Sequence, residues 1–172
     1  MALISVFLLS FTGCAEEPEP DMTILSQRMA QFNANYGFDY FDSFVYDGAN
    51  RIYFSLCSKN DVLLTVNTDS EGKIKKVSIT ALQDSMKTEG ERQAYKNFSS
   101  AVINSFATIS DKEERQLDDT LSYKNTNTYF SDLYETYSSK RYHFVFSSNS
   151  EFINLDCEYY EQYDISEKNK DS

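Results

Sequence analysis

Apolar positions recur along this chain with two periods. Met22, Leu25, Met29, Phe32 and Tyr36 stand three and four residues apart, which is one stripe of an amphipathic helix. Asp21 or Thr23 can cap its start, and Gly37 fits just past its end. The pattern then changes to alternation. Phe38 to Tyr46 is an aromatic stretch bounded by the turn residues Asp47-Gly48-Ala49-Asn50. Arg51 to Cys57 alternates, with Ile52, Phe54 and Leu56 on one side, and Val62, Leu64 and Val66 repeat the pattern. A loop over Asn67 to Gly72 precedes Val77, Ile79 and Ala81. Four alternating runs with short connections predict an antiparallel meander.

Helical spacing returns after Thr88. Thr88-Glu89-Gly90-Glu91 reads as a capping box, and Tyr95, Phe98, Val102, Phe106 and Ile109 form the buried stripe behind it. A second box, Ser110-Asp111-Lys112-Glu113, opens a helix carrying Leu117 and Leu121. Asn125 to Thr128 is a polar loop. Phe130, Leu133, Tyr134 and Tyr137 have helical spacing over one short segment. Tyr142-Phe144-Phe146 and Ile153-Leu155-Cys157-Tyr159 alternate as two further strands, joined by Ser147-Ser148-Asn149-Ser150. The expected order is α-ββββ-αα-(α)-ββ. Strands grouped with strands predict an α+β fold: an antiparallel sheet of about six strands with helices packed on one face.

Residues 22–165 therefore form the folded head, and residues 166–172 a frayed polar tail. The first segment is different. Met1 to Phe11 carries no charge. About ten apolar residues would make a helix of roughly 15 Å, half a bilayer core, which matches a signal-peptide core and not a stable span. It ends in Phe11-Thr12-Gly13-Cys14, which resembles the lipobox of bacterial lipoproteins. The usual leucine three positions before the cysteine is here Phe11, and no Lys or Arg stands near Met1. The resemblance implies a leader over residues 1–13, cleavage after Gly13, and acylation of Cys14. Residues 14–21 alternate Pro with acids, an extended and solvated tether. Two acyl chains on one residue suffice for stable anchoring.

Composition narrows the functional classes. The chain has 172 residues and a formal charge of −11. Such a chain repels phosphate backbones, so nucleic-acid binding is not expected. The same charge argues against further flat contact of the head with anionic lipid. Trp is absent and His143 is the one imidazole. No Gly-x-Ser-x-Gly elbow accompanies that histidine, so it reads as a surface or partly packed residue.

Cys57 and Cys157 remain after Cys14 is acylated. In an oxidising compartment they could pair, closing a loop of about 100 residues worth roughly 4–5 kcal/mol in the chain-entropy model. Their phases argue for two separate thiols: Cys157 follows Ile153 and Leu155, whereas Cys57 is out of step with Ile52, Phe54 and Leu56. Neither has a Cys or His at ligand spacing, so no metal site is expected. Asn67 to Gly72 imitates the start of a calcium loop, but position twelve is Ser78, and the segment reads as a plain hairpin connection. Lys73, Lys75 and Lys76 read as charges protecting an edge strand. The acids Asp111, Glu113, Glu114, Asp118 and Asp119, interleaved with Lys112 and Arg115, read as a solvated helix face.

The densest aromatic region runs from Tyr123 to Tyr142. Within it Tyr129, Tyr134, Tyr137 and Tyr142 are the candidate binding surface, because Tyr offers rigid and amphipathic contact area. Core filling is the alternative use of the same rings. No catalytic residue and no cofactor is expected. The reading is a lipid-anchored, extracytoplasmic, non-enzymatic recognition module with an unidentified protein or peptide partner. An inhibitor or immunity-type lipoprotein, and a carboxylate-based hydrolase, are the alternatives.

Overall fold

The computed structural model describes residues 21–36, 43–57, 62–107 and 109–160. The leader, Cys14, most of the tether and the C-terminal tail lie outside the described residues, as does most of the aromatic stretch from Phe38 to Tyr46. The described residues build an α+β fold. Helix α1 (Met22–Tyr36) precedes strands β1 (Val45–Asp47), β2 (Ile52–Cys57), β3 (Val62–Thr68) and β4 (Ile74–Leu82). Helices α2 (Glu89–Phe106) and α3 (Asp111–Thr120) follow, and β5 (Leu133–Ser138), β6 (Tyr142–Ser148) and β7 (Phe152–Tyr159) come last. All strand pairs are antiparallel, in the order β1-β2-β3-β4-β7-β6-β5. Two meanders thus meet at β4 and β7, and the helices between them cross from one to the other.

The alternation of each central strand buries one face. Val62, Leu64, Val66, Val77, Ile79, Ala81, Phe144, Phe146, Ile153, Leu155 and Cys157 are all at most 1% exposed. Tyr95, Phe98, Val102 and Phe106 of α2, Leu25 and Met29 of α1, and Leu117 of α3 complete the same core. Full burial of such a side chain stabilises by about 1.5–3 kcal/mol. Polar anchors fix where the helices lie. The Tyr95 hydroxyl donates to the Ile79 carbonyl at 3.2 Å, tying α2 to β4. Phe106 meets Tyr142 edge-on at 5.4 Å, so α2 ends beneath the start of β6.

Both expected capping boxes are formed. Thr88 and Ser110 each accept from the backbone N–H three residues on, and Glu91 and Glu113 reach back to the cap backbone. Asp21 caps α1, accepting from Ile24 N at 2.7 Å. The Asn67–Gly72 segment is a hairpin connection: Asp69 Oδ1 accepts from Glu71 N and Lys73 N, and Gly72 takes a φ of +82°.

Three expectations are corrected. Leu133 to Ser138 is the edge strand β5 and not a helix. Its Leu133, Glu135 and Tyr137 point inward while Tyr134, Thr136 and Ser138 point out, a period-two pattern that also satisfies helical spacing at Leu133, Tyr134 and Tyr137. Among the described residues the sheet accordingly has seven strands. Strand β4 is central and not an edge, lying between β3 and β7. In β2 the apolar set faces away from the core: Ser55 pairs with buried Leu64 and is itself buried, while Phe54 and Leu56 are exposed.

Candidate functional site

The helices cover one face of the sheet, and the site is on the other. Two adjacent cross-strand pairs place apolar side chains together there. Val45 of β1 stands opposite Phe54 of β2, and Leu56 of β2 stands opposite Leu63 of β3. Directly paired residues share a face with Cβ atoms about 5 Å apart, and residues two apart on one strand share it too. The four side chains therefore form one patch. Their exposures are 56% for Val45, 37% for Phe54, 63% for Leu56 and 37% for Leu63. Burying side chains of this kind is the dominant favourable term in association, so the patch is held open at a cost that a partner surface would relieve.

A hydrogen-bonded polar strip runs beside the patch over β4 and β7. Thr80 Oγ1 donates to Asn154 Oδ1 at 2.6 Å, Asn154 Nδ2 donates to Asp156 Oδ1 at 2.9 Å, and Lys76 Nζ reaches Asp156 Oδ2 at 2.6 Å. Burial pushes the Asp156 carboxyl up, but the bonds from Lys76, Ser78 and Asn154 and the Lys76 charge outweigh it and hold it below its ordinary range. His143 lies further along, its Nδ1 sharing a hydrogen bond of 2.8 Å with Ser138 Oγ, both on the exposed side. Lys75 pairs with Asp69 at 3.4 Å and lies over the Tyr159 ring at 5.8 Å. The basic run thus serves ion pairs in the sheet interior and its turn, not edge protection.

The expected tyrosine surface is divided. Tyr134 is 72% exposed on the open face. Tyr137 is half-buried, tilted against Phe144, with its hydroxyl donating to Gln116 Oε1 at 3.4 Å. Tyr129 and Tyr142 are buried and cannot present a surface. The Tyr129 hydroxyl donates to the Tyr123 carbonyl, and its ring meets Tyr95 edge-on at 5.5 Å. The turn that carries Tyr129 is held by a buried amide. Gln83 Nε2 donates to the carbonyls of Tyr129 and Asn149, and Ser148 Oγ lies 3.1 Å away. Sequence spacing gives no hint of this latch, since its partners are 46 to 66 residues distant.

Of the two alternatives for Cys57 and Cys157, the strand order favours separate thiols. Cys157 is a free, buried thiol, and its burial raises its pKa well above the ordinary thiol range. Strands β3 and β4 separate β2 from β7. Three strand spacings of about 4.8 Å hold Cys57 and Cys157 roughly 14 Å apart at least, whereas a disulfide needs Cα atoms within about 7 Å. The register pairs Cys57 with Val62 and Cys157 with Val77.

The acids around α3 are taken up locally. Glu113 belongs to a capping box, and Asp118 accepts from the Tyr123 hydroxyl at 3.2 Å and pairs with Lys124. A shallow cleft of about 520 Å³ lies between α1 and β2, lined by Met22, Thr23, Ser26, Gln27, Ser43, Phe44 and Tyr53. Among the described residues no group of His, Cys, Asp and Glu is arranged to hold a metal ion, and no helix is long and apolar enough to cross a membrane. No protein-family model, no curated protein and no solved structure matches this chain.

Proposed function

We propose that this chain is a lipid-anchored lipoprotein on the outer side of a bacterial membrane, whose head is a non-enzymatic recognition module. It meets a protein partner with the open face of the sheet. The observation that carries this reading is the patch of Val45, Phe54, Leu56 and Leu63, four exposed apolar side chains brought together by the strand register. The polar strip of Thr80, Asn154, Asp156 and Lys76 supplies a hydrogen-bonding margin beside it. An apolar centre with a polar margin is the anatomy of protein interfaces. The lipobox-like Phe11-Thr12-Gly13-Cys14 and the Pro-rich acidic tether support the anchoring.

The test is capture from solubilised envelopes with the lipidated chain, compared with a Phe54→Ser/Leu56→Lys variant. A partner retained by the first and lost by the second, with both heads equally folded, supports the reading. Equal capture by both removes the open face from it. The charge of −11 favours a second reading, an inhibitor or immunity-type lipoprotein steered onto a basic exported enzyme or toxin. An association rate that falls steeply with salt distinguishes that reading from the first.

A further inference from the structure

We infer that this protein turns one particular end of its sheet toward the lipid headgroups: the end carrying the β1–β2, β3–β4 and β5–β6 turns. The inference rests on the lipoprotein reading above. It begins with Asp21, the last residue before α1, which forms an antiparallel bridge with Lys73 in the β3–β4 turn. Asp21 is fixed there by two further bonds, accepting from Ile24 N through its side chain at 2.7 Å and from Leu25 N through its carbonyl at 2.9 Å. A tether from Cys14 to residue 20 has seven residues, so it spans at most about 24 Å whatever its conformation. That bound keeps the Lys73 end of the head near the bilayer.

The register shows what else is at that end. Asp47 opposite Ile52, Thr68 opposite Ile74, and Ser138 opposite His143 close the three hairpins there. The β6–β7 turn, closed by Ser148 opposite Ile153, is at the other end. Strand β4 has nine residues, so the two ends are about 30 Å apart.

The charge of the described residues does not oppose that placement. Around the three turns and the head of α1 stand Arg51, Lys73, Lys75, Lys140 and Arg141 against four acids, Asp21 among them. The first turn of α3 adds Asp111, Glu113 and Glu114 beside Lys112, with Arg115 next. Among the described residues this end is close to neutral, whereas the chain as a whole carries −11. The described residues of this end therefore add little to the repulsion between an acidic chain and an anionic surface. The open-face patch then looks sideways: Leu56 is four residues along β2 from Ile52, about 13 Å further from the lipid than the turn end.

The test uses the lipidated full chain in vesicles of phosphatidylethanolamine and phosphatidylglycerol with a headgroup-bound energy acceptor. A donor is attached at Ser70→Cys in the β3–β4 turn or at Ser150→Cys in the β6–β7 turn, in a Cys57→Ser background. Buried Cys157 does not react. Transfer several-fold greater from position 70 than from position 150 is the expected result. Equal or reversed transfer from protein that floats with the vesicles overturns the orientation and leaves the anchoring intact. Protein that does not float overturns the lipoprotein reading and the orientation with it.

Discussion

Leu56 and Leu63 stand directly opposite each other on β2 and β3, and both face solvent. Nothing in the core of this domain uses them. Replacing both, as Leu56→Lys/Leu63→Thr, should change the unfolding free energy by about 0.5 kcal/mol or less, the usual range for surface positions. The same variant should bind less of an apolar dye such as ANS. A loss of several kcal/mol in denaturant melts would show that the pair is structural, and would remove the patch as a recognition surface.

Thr88 and Ser110 cap opposite helices through the same reciprocal geometry. Thr88→Ala and Ser110→Ala should each cost about 1 kcal/mol. The helical length of α2 separates them and they share no partner, so the double variant should lose close to the sum. Urea melts of the three proteins provide the check, and a double variant no worse than either single one would contradict it.

The local signals in this sequence are those that involve few residues. Capping boxes, the stripe of α2 and the alternation of β3, β4, β6 and β7 are legible because each depends on neighbours within one turn or one strand. Strand β5 is not, because six residues of mixed aromatic and polar type fit both periods. The choice is made by pairing with β6, a tertiary fact. The phase of β2 is misread for a more informative reason. Ile52, Phe54 and Leu56 are its apolar set, and hydrophobic patterning assigns such a set to the core. The sheet instead buries Ser55 and leaves Phe54 and Leu56 outside. A local rule that fails in this way marks the candidate site. Tyr129 and Tyr142 fail in the opposite direction: aromatic density drew them into a surface, and the core took them.

Asp156 links stability to pH. Its pKa is held below the ordinary carboxylate range in the folded head. The unfolded chain therefore binds the proton at a higher pH than the native one. The stabilisation is present in full above the unfolded value and is lost as pH falls through the folded value, that is, below about pH 4. Asp156→Asn keeps hydrogen-bonding capacity toward Ser78 and Asn154 but drops the ion pair with Lys76. It should flatten the acid limb of stability against pH by lowering stability in the neutral region, with the two proteins converging in acid. An acid limb as steep as that of the unmodified protein would assign the acid sensitivity to other carboxylates.

Cys157 is buried in the row of Val77 and Phe144, with no disulfide partner. A thiol in that setting is kept protonated and screened from reagents. A small maleimide should leave Cys157 unmodified in the folded head and modify it on the timescale of unfolding in denaturant, read by mass spectrometry of the Cys57→Ser protein. Reductant should leave the melting temperature unchanged, because no cross-link of some 100 residues constrains the unfolded chain. Truncation is a separate matter: Cys157→Ala empties packing space at the centre of the sheet and should cost about 1–3 kcal/mol. A melting temperature that drops on reduction would mean that the two strands carrying Cys57 and Cys157 approach each other, and would contradict the order β2-β3-β4-β7 itself.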